Sequence, residues 1–157
     1  MSELRDDFAA LVQKGERCPL GRAALTIARI AYPALDVDRY VAELDGLAAA
    51  VRPRLTAAMP PEDAVAVLVA HLFETCGFRG NEEDYYDPRN SFLNDVLERR
   101  TGIPISLAIV LLETASRLGI PLEGVGFPGH FLVRVAGSMG PVFRDPFFAG
   151  RVLGGDQ

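Results

Sequence analysis

Cysteine is scarce: Cys18 and Cys76 are the two thiols in 157 residues. They form no CxxC pair, and His71, five residues before Cys76, adds one nitrogen where a structural zinc needs four ligands. No metal and no cofactor is therefore expected. A disulfide would suit an oxidising compartment, but the opening MSELRDDFAA is acidic and polar, unlike a signal peptide. The expectation is a cytoplasmic protein with two free thiols. Long apolar runs are also missing; none reaches the ~18–20 residues that cross a bilayer. No basic amphipathic segment suits a membrane surface. Basic clusters stop at Arg52-Pro53-Arg54 and Arg99-Arg100, and formal net charge is −5. A nucleic-acid surface needs a broader basic stripe, so neither membrane nor nucleic acid is an expected partner. Internal repeats are absent.

What remains is ordinary globular material, 49% apolar and 24% charged. It is enough for one domain with a real core. The first half, 1–76, reads as helices. Leu4, Phe8, Leu11 and Val12 have helical spacing over 3–14, and 20–31 is Ala-rich and stops before Pro33. A longer helix is expected over 36–57, with Asp36 as N-cap. Its Tyr40, Val41, Leu44, Leu47, Ala48 and Val51 recur at intervals of three and four, and Pro53 should kink or end it. Pro61 opens a helix over 61–75, and Gly77 suits its C-cap.

GFRGNEEDYYDPRN, 77–90, is polar and holds two Gly and one Pro, so a long ordered loop is expected there. Its Glu82, Glu83, Asp84 and Asp87 lack the alternating spacing and central Gly of a calcium loop. A short helix follows over 91–99, which Asn90 or Ser91 could cap. PISLAIVLLETASRL, 104–118, is apolar on nearly every face in its first half, the pattern of a helix buried in a domain centre. Beyond Gly119 the period moves towards two. One strand runs from His130 to Val135, a turn follows at 137–140, and a second strand from Val142 ends at Asp145-Pro146. The closing GRVLGGDQ is expected to be loose.

Adjacent antiparallel strands can bring His130 and Asp145 side by side. An Asp beside a His fixes its tautomer and favours the protonated ring, the supporting half of a catalytic triad. The complementary half is a nucleophile at the head of the buried helix, where the dipole favours a thiolate. That order resembles the transglutaminase-like superfamily of papain-type folds and, more narrowly, its SirB-type branch. The resemblance rests on NS-x-L-x-x-VL-x-R-R-x-GIP-x-SL, on PGHFLVR and on the closing RDPFFAG, and extends weakly through 20–76. It implies an α+β fold, a central buried helix packed on a small antiparallel sheet, with a mainly helical N-terminal half. It also implies that His130 and Asp145 take the superfamily's His and Asp positions, and that its Cys position falls within Pro104–Ser106. Spacing from the helix end favours Pro104, while Ser106 carries the one nucleophilic side chain there. The family's longer members continue into a helical-repeat region.

Three readings follow. The first is a non-catalytic module whose degenerate cleft binds a peptide or protein, with Tyr85, Tyr86, Asn90, Pro104 and Arg134 as cleft candidates beside His130. The second is a hydrolase or acyl-transfer enzyme using Ser106, His130 and Asp145. The third is a structural domain of a larger helical-repeat protein. The absence of a thiol weighs against enzymatic activity. Cys76 precedes His130 and Asp145 in the right order, but a helix C-terminus disfavours a thiolate. Ser106 has a plain structural alternative as a first-turn cap, and His130 could be a structural strand histidine bonded to Asp145.

Overall fold

The structure, a computed structural model, describes residues 20–128 and 130–154. The expected helix over 3–14, Cys18, Gly129 and the last three residues lie outside them. Helix α1 spans Leu20–Ala28. It ends three residues short of the expected 31, because 29–35 closes into turns ahead of Pro33. Helix α2, Val37–Val51, opens on Asp36, whose carboxylate accepts from the Arg39 N–H at 3.3 Å. It stops well before 57: Pro53 tightens the chain into a 3₁₀ turn over Arg52–Arg54. Helix α3 spans Pro61–Val69 and widens into a π-helical turn over Ala70–Thr75. Gly77 follows in the left-handed region at φ +80°.

The polar loop is more ordered than its composition suggests. Strand β1, Arg79–Gly80, pairs in parallel with β2, Thr101–Gly102, and Pro88–Asn90 forms a 3₁₀ turn. Between these strands sits α4, Leu93–Arg99. Its N-cap is Phe92, with no side-chain cap, so neither Asn90 nor Ser91 performs that role. Asn90 is turned inward, as described below. Helix α5, Pro104–Arg117, follows β2 after the extended Ile103.

A four-stranded antiparallel sheet completes the fold in the order β3 (Leu122–Phe127), β4 (His130–Gly137), β5 (Gly140–Asp145) and β6 (Arg151–Val152). The two-residue turn Ser138-Met139 joins β4 to β5, so β5 starts earlier than expected. The Glu62 carboxylate ties that turn to α3 by accepting from the Ser138 N–H at 2.9 Å and its hydroxyl at 2.5 Å. The closing segment is not loose over its first residues: Arg151 pairs with Asp145 and Val152 with Arg144.

The architecture is α+β, with α5 at its centre. Leu107, Val110, Leu111 and Ala115 bury the helix against Leu44, Leu47 and Val51 of α2 and Val65 and Leu68 of α3. The sheet adds Val133 and Val135. Residues alternate across a strand, so His130, Leu132 and Arg134 lie on the opposite face of β4 from these valines. An ion pair from Arg117 to Asp45 (2.6 Å) binds the end of α5 to α2; Arg117 also pairs with Glu113 one turn back in α5 (2.7 Å), and the Gly21 N–H donates to the Glu113 carboxylate.

Candidate functional site

The head of α5 opens on a shallow cleft of about 250 Å³. Tyr85, Ile103, Pro104, Ile105, Phe127, His130 and Phe131 line it. Pro104 pre-sets the first helical φ and lacks the N–H that the first turn leaves unpaired. Ile105 and Phe127 remain exposed. His130 stands opposite Phe127 in the β3–β4 ladder, which places its imidazole at the cleft mouth. The wall is therefore mostly apolar, with the His130 imidazole and the Tyr85 phenol as its polar side chains.

Asp145 lies deeper, 4% exposed. Val133 pairs with Arg144. One further step of that register sets Asp145 across from Leu132, diagonal to His130 on the same sheet face. Its carboxylate accepts from the Phe147 N–H at 3.0 Å, which starts the 3₁₀ turn over Pro146–Phe148. Among the described residues no hydrogen bond or ion pair links Asp145 to His130.

Ser106 is 3% exposed and does not line the cleft. Its hydroxyl donates to the Asn90 carbonyl at 2.6 Å and accepts the Ile103 N–H at 3.1 Å. A hydroxyl has one proton, and the short bond to Asn90 takes it. Gly102 leaves the room: a Cβ there would stand 2.6 Å from the Ser106 oxygen.

Asn90 is wholly buried, so it supports the cleft from beneath instead of lining it. Its amide nitrogen donates to the carbonyls of Asp84 (2.9 Å) and Tyr85 (3.0 Å), and its side-chain oxygen accepts from Asn81 at 2.9 Å. These bonds fold the loop and set Tyr85 at the wall. Tyr85 packs edge-on to Phe147, ring centroids 5.7 Å apart. Tyr86 is 90% exposed and stands outside. Arg134 belongs to a separate depression with Glu123, Pro121 and Pro141, and its guanidinium pairs with Glu123 across the strands. Arg134 therefore does not line the cleft at the helix head where it was expected.

Of the expected residues, Tyr85, Pro104 and His130 meet in one cleft; Ser106, Asn90 and Asp145 lie beneath or behind it. Sequence reasoning passed over Ile105, Phe127, Phe131 and Phe147. The aromatic pair in the closing RDPFFAG was the available signal for Phe147. Cys76 caps the π-helical turn with its sulfur 3.4 Å from the His71 ring, in a different region. Arg99 approaches Asp87 at 3.6 Å, and Arg100 covers the Phe78 ring at 4.7 Å. No group of three or more His, Cys, Asp or Glu among the described residues is placed to hold a metal ion. No helix among them is long and apolar enough to cross a membrane.

A family model described as transglutaminase-like superfamily matches residues 38–157. A UPF0162 protein of Xylella fastidiosa is 45% identical over 142 residues, covering 90% of the chain and 50% of that relative. A UPF0162 protein of Pseudomonas aeruginosa is 40% identical over 116 residues, covering 74% of the chain and 43% of the relative. Mouse F-box only protein 21 is 51% identical over 63 residues, 40% of the chain and 10% of that protein. The chain thus spans about half the length of the first of these relatives. No solved structure matches it.

Proposed function

The chain belongs to the transglutaminase-like superfamily, and on that premise we propose that it is a binding member, holding a peptide or protein segment at the head of α5 without reacting with it. The observation that carries this reading is the state of the helix head. Pro104, Ile105 and Ser106, the positions to which the resemblance assigns the superfamily's nucleophile, carry no thiol. The one hydroxyl there is buried and bonded to Asn90. A serine nucleophile needs an accessible hydroxyl whose proton a base can take. Here that proton is directed to a backbone carbonyl.

The cleft itself suits a ligand. Ile105, Phe127 and Tyr85 keep apolar surface in water beside a polar ring, a combination common where a side chain docks. A bound segment would cover these three residues and bond to His130. Within the superfamily the motif set, from NS-x-L to DPF, is the ground for a SirB-type reading. The absence of any spanning helix among the described residues agrees with a cytoplasmic role. What the longer relatives do as whole proteins belongs to the same proposal, and a supporting role beside a helical-repeat region is its structural alternative.

Two measurements test it. A fluorophosphonate probe should leave the protein unlabelled. Labelling that disappears in both Ser106→Ala and His130→Ala would establish the serine enzyme and overturn the binding reading. Peptides selected from a random display library should bind the native chain and lose affinity for Ile105→Asp and His130→Ala. A library that yields no binder, or binders indifferent to both changes, would leave the structural role.

A further inference from the structure

A second cleft shares no lining residue with the one at the helix head. It runs between the α1–α2 connection and α4 and measures about 550 Å³. Tyr32, Asp36, Arg39, Tyr40, Asn94, Asp95 and Glu98 supply its polar wall. Two tyrosine–carboxylate pairs repeat along it, one turn of α4 apart. The Tyr32 hydroxyl donates to Asp95 at 2.7 Å, and the Tyr40 hydroxyl donates to Glu98 at 2.5 Å.

The two pairs differ in what covers them. At the outer pair a guanidinium is already present: Arg39 lies 5.2 Å from the Tyr40 ring centre and 3.9 Å from Glu98. At the inner pair no ion pair reaches Asp95 among the described residues, although that residue is 8% exposed. Arg89 is close enough to influence Asp95, and it is engaged with Asp87 at 2.7 Å. Beside the inner pair sits Asn94, 3% exposed, whose side-chain oxygen has no hydrogen-bond partner. A buried amide without a partner costs roughly 1–3 kcal/mol and is rare in a native fold. Three carboxylates, Asp36, Asp95 and Glu98, face one guanidinium, Arg39. Glu43, packed near Tyr40, adds a further negative charge. Tyr32, partly exposed, offers aromatic surface to a cation, while Tyr40 is buried beneath Arg39.

We propose that the inner half of this cleft, built by Tyr32, Asn94 and Asp95, is a binding site for an organic cation, a guanidinium or alkylammonium group. Arg39 at the outer pair shows how this wall accepts one. The incoming cation would stack on the Tyr32 ring, pair with Asp95 and satisfy Asn94. The same chemistry arrives on a peptide's basic side chain or on a free polyamine.

The test is a titration of the ¹⁵N-labelled chain, followed through the Asn94 side-chain amide and the α4 backbone. The probes are N-acetyl-arginine methylamide for a peptide side chain, spermidine for a free polyamine, and N-acetyl-glutamine methylamide as the neutral control. Saturable shifts at Asn94 and Asp95 are expected with at least one cation and not with the control; which cation saturates first identifies the source. Asn94→Leu and Asp95→Asn should each weaken the binding, by about tenfold for Asn94→Leu. Asp95→Asn keeps the shape of the side chain that meets Tyr32, so it tests the site even if Asn94→Leu fails to fold. Shifts that stay linear, that appear equally with the glutamine control, or that survive Asp95→Asn unchanged would overturn the proposal.

Discussion

Removing one oxygen separates a structural Ser106 from a catalytic one. Ser106→Ala deletes a hydroxyl that serves two buried backbone groups, the Asn90 carbonyl at 2.6 Å and the Ile103 N–H at 3.1 Å. Neither finds a replacement partner, because an Ala methyl has nothing to offer and the site is closed to water. Each stranded group costs about 1–2 kcal/mol, so the expected loss is about 2–4 kcal/mol. For a chain of this size that lowers Tm by roughly 4–16 °C. Thr114→Val is the matched control. Thr114 is as deeply buried, but its hydroxyl bonds to Val110 and Leu111 carbonyls inside the helix. Those oxygens keep their helical partners, so its cost should stay below about 1 kcal/mol. Urea unfolding followed by circular dichroism measures both, since the chain has no tryptophan. A catalytic serine held in place at the expense of stability would behave differently. If Ser106→Ala costs less than Thr114→Val, or stabilises the chain, the clamp account is wrong.

Gly80→Ala should also be costly, because a Cβ there would stand 2.5 Å from the Phe147 carbonyl and its ring. The expected loss is about 2 kcal/mol or more, with Tyr85 displaced from Phe147; an unchanged unfolding midpoint would contradict that packing. Asp87 gives a pH prediction. Hydrogen bonds from Arg89 hold its carboxyl down at about 2. A group depressed in the folded state stabilises the fold above its unfolded value, near 4, and that stabilisation disappears as pH falls through about 2. Asp87→Asn should therefore flatten the acid limb of the unfolding curve between about pH 4 and 2, and parallel limbs in the two proteins would refute the assignment.

The helices were legible where one face is apolar and the ends carry Pro, Gly or Asp. Asp36, Pro53 and Pro61 marked their boundaries because each acts on its neighbours alone. The π-helical turn after Val69 has no such local mark. The parallel pairing of Arg79–Gly80 with Thr101–Gly102 was hidden for a related reason: two residues cannot display a period, and their partners lie over twenty positions away. Arg151 and Val152 were missed for the same cause. In the site, residue types pointed to His130 and Asp145, and the helical count pointed to Pro104. What the chain could not declare was direction. A serine in the first helical turn can face the cleft or the interior. The deciding partner, the Asn90 carbonyl, is a backbone atom that no side-chain pattern announces.

That direction has a kinetic meaning. Loops of about fourteen residues ordinarily sample many shapes and must be ordered when a ligand arrives. Between Asn81 and Ser91 the ordering has already happened, because one interior amide closes the loop on itself at three points and the helix head latches it from behind. A partner meeting Tyr85 therefore meets a wall already in place. Its association should be a single rapid step, with residence time carrying the differences among ligands. The same closure makes the segment intolerant of length change: one residue inserted between Asn81 and Asn90 would break the ring that holds the wall upright.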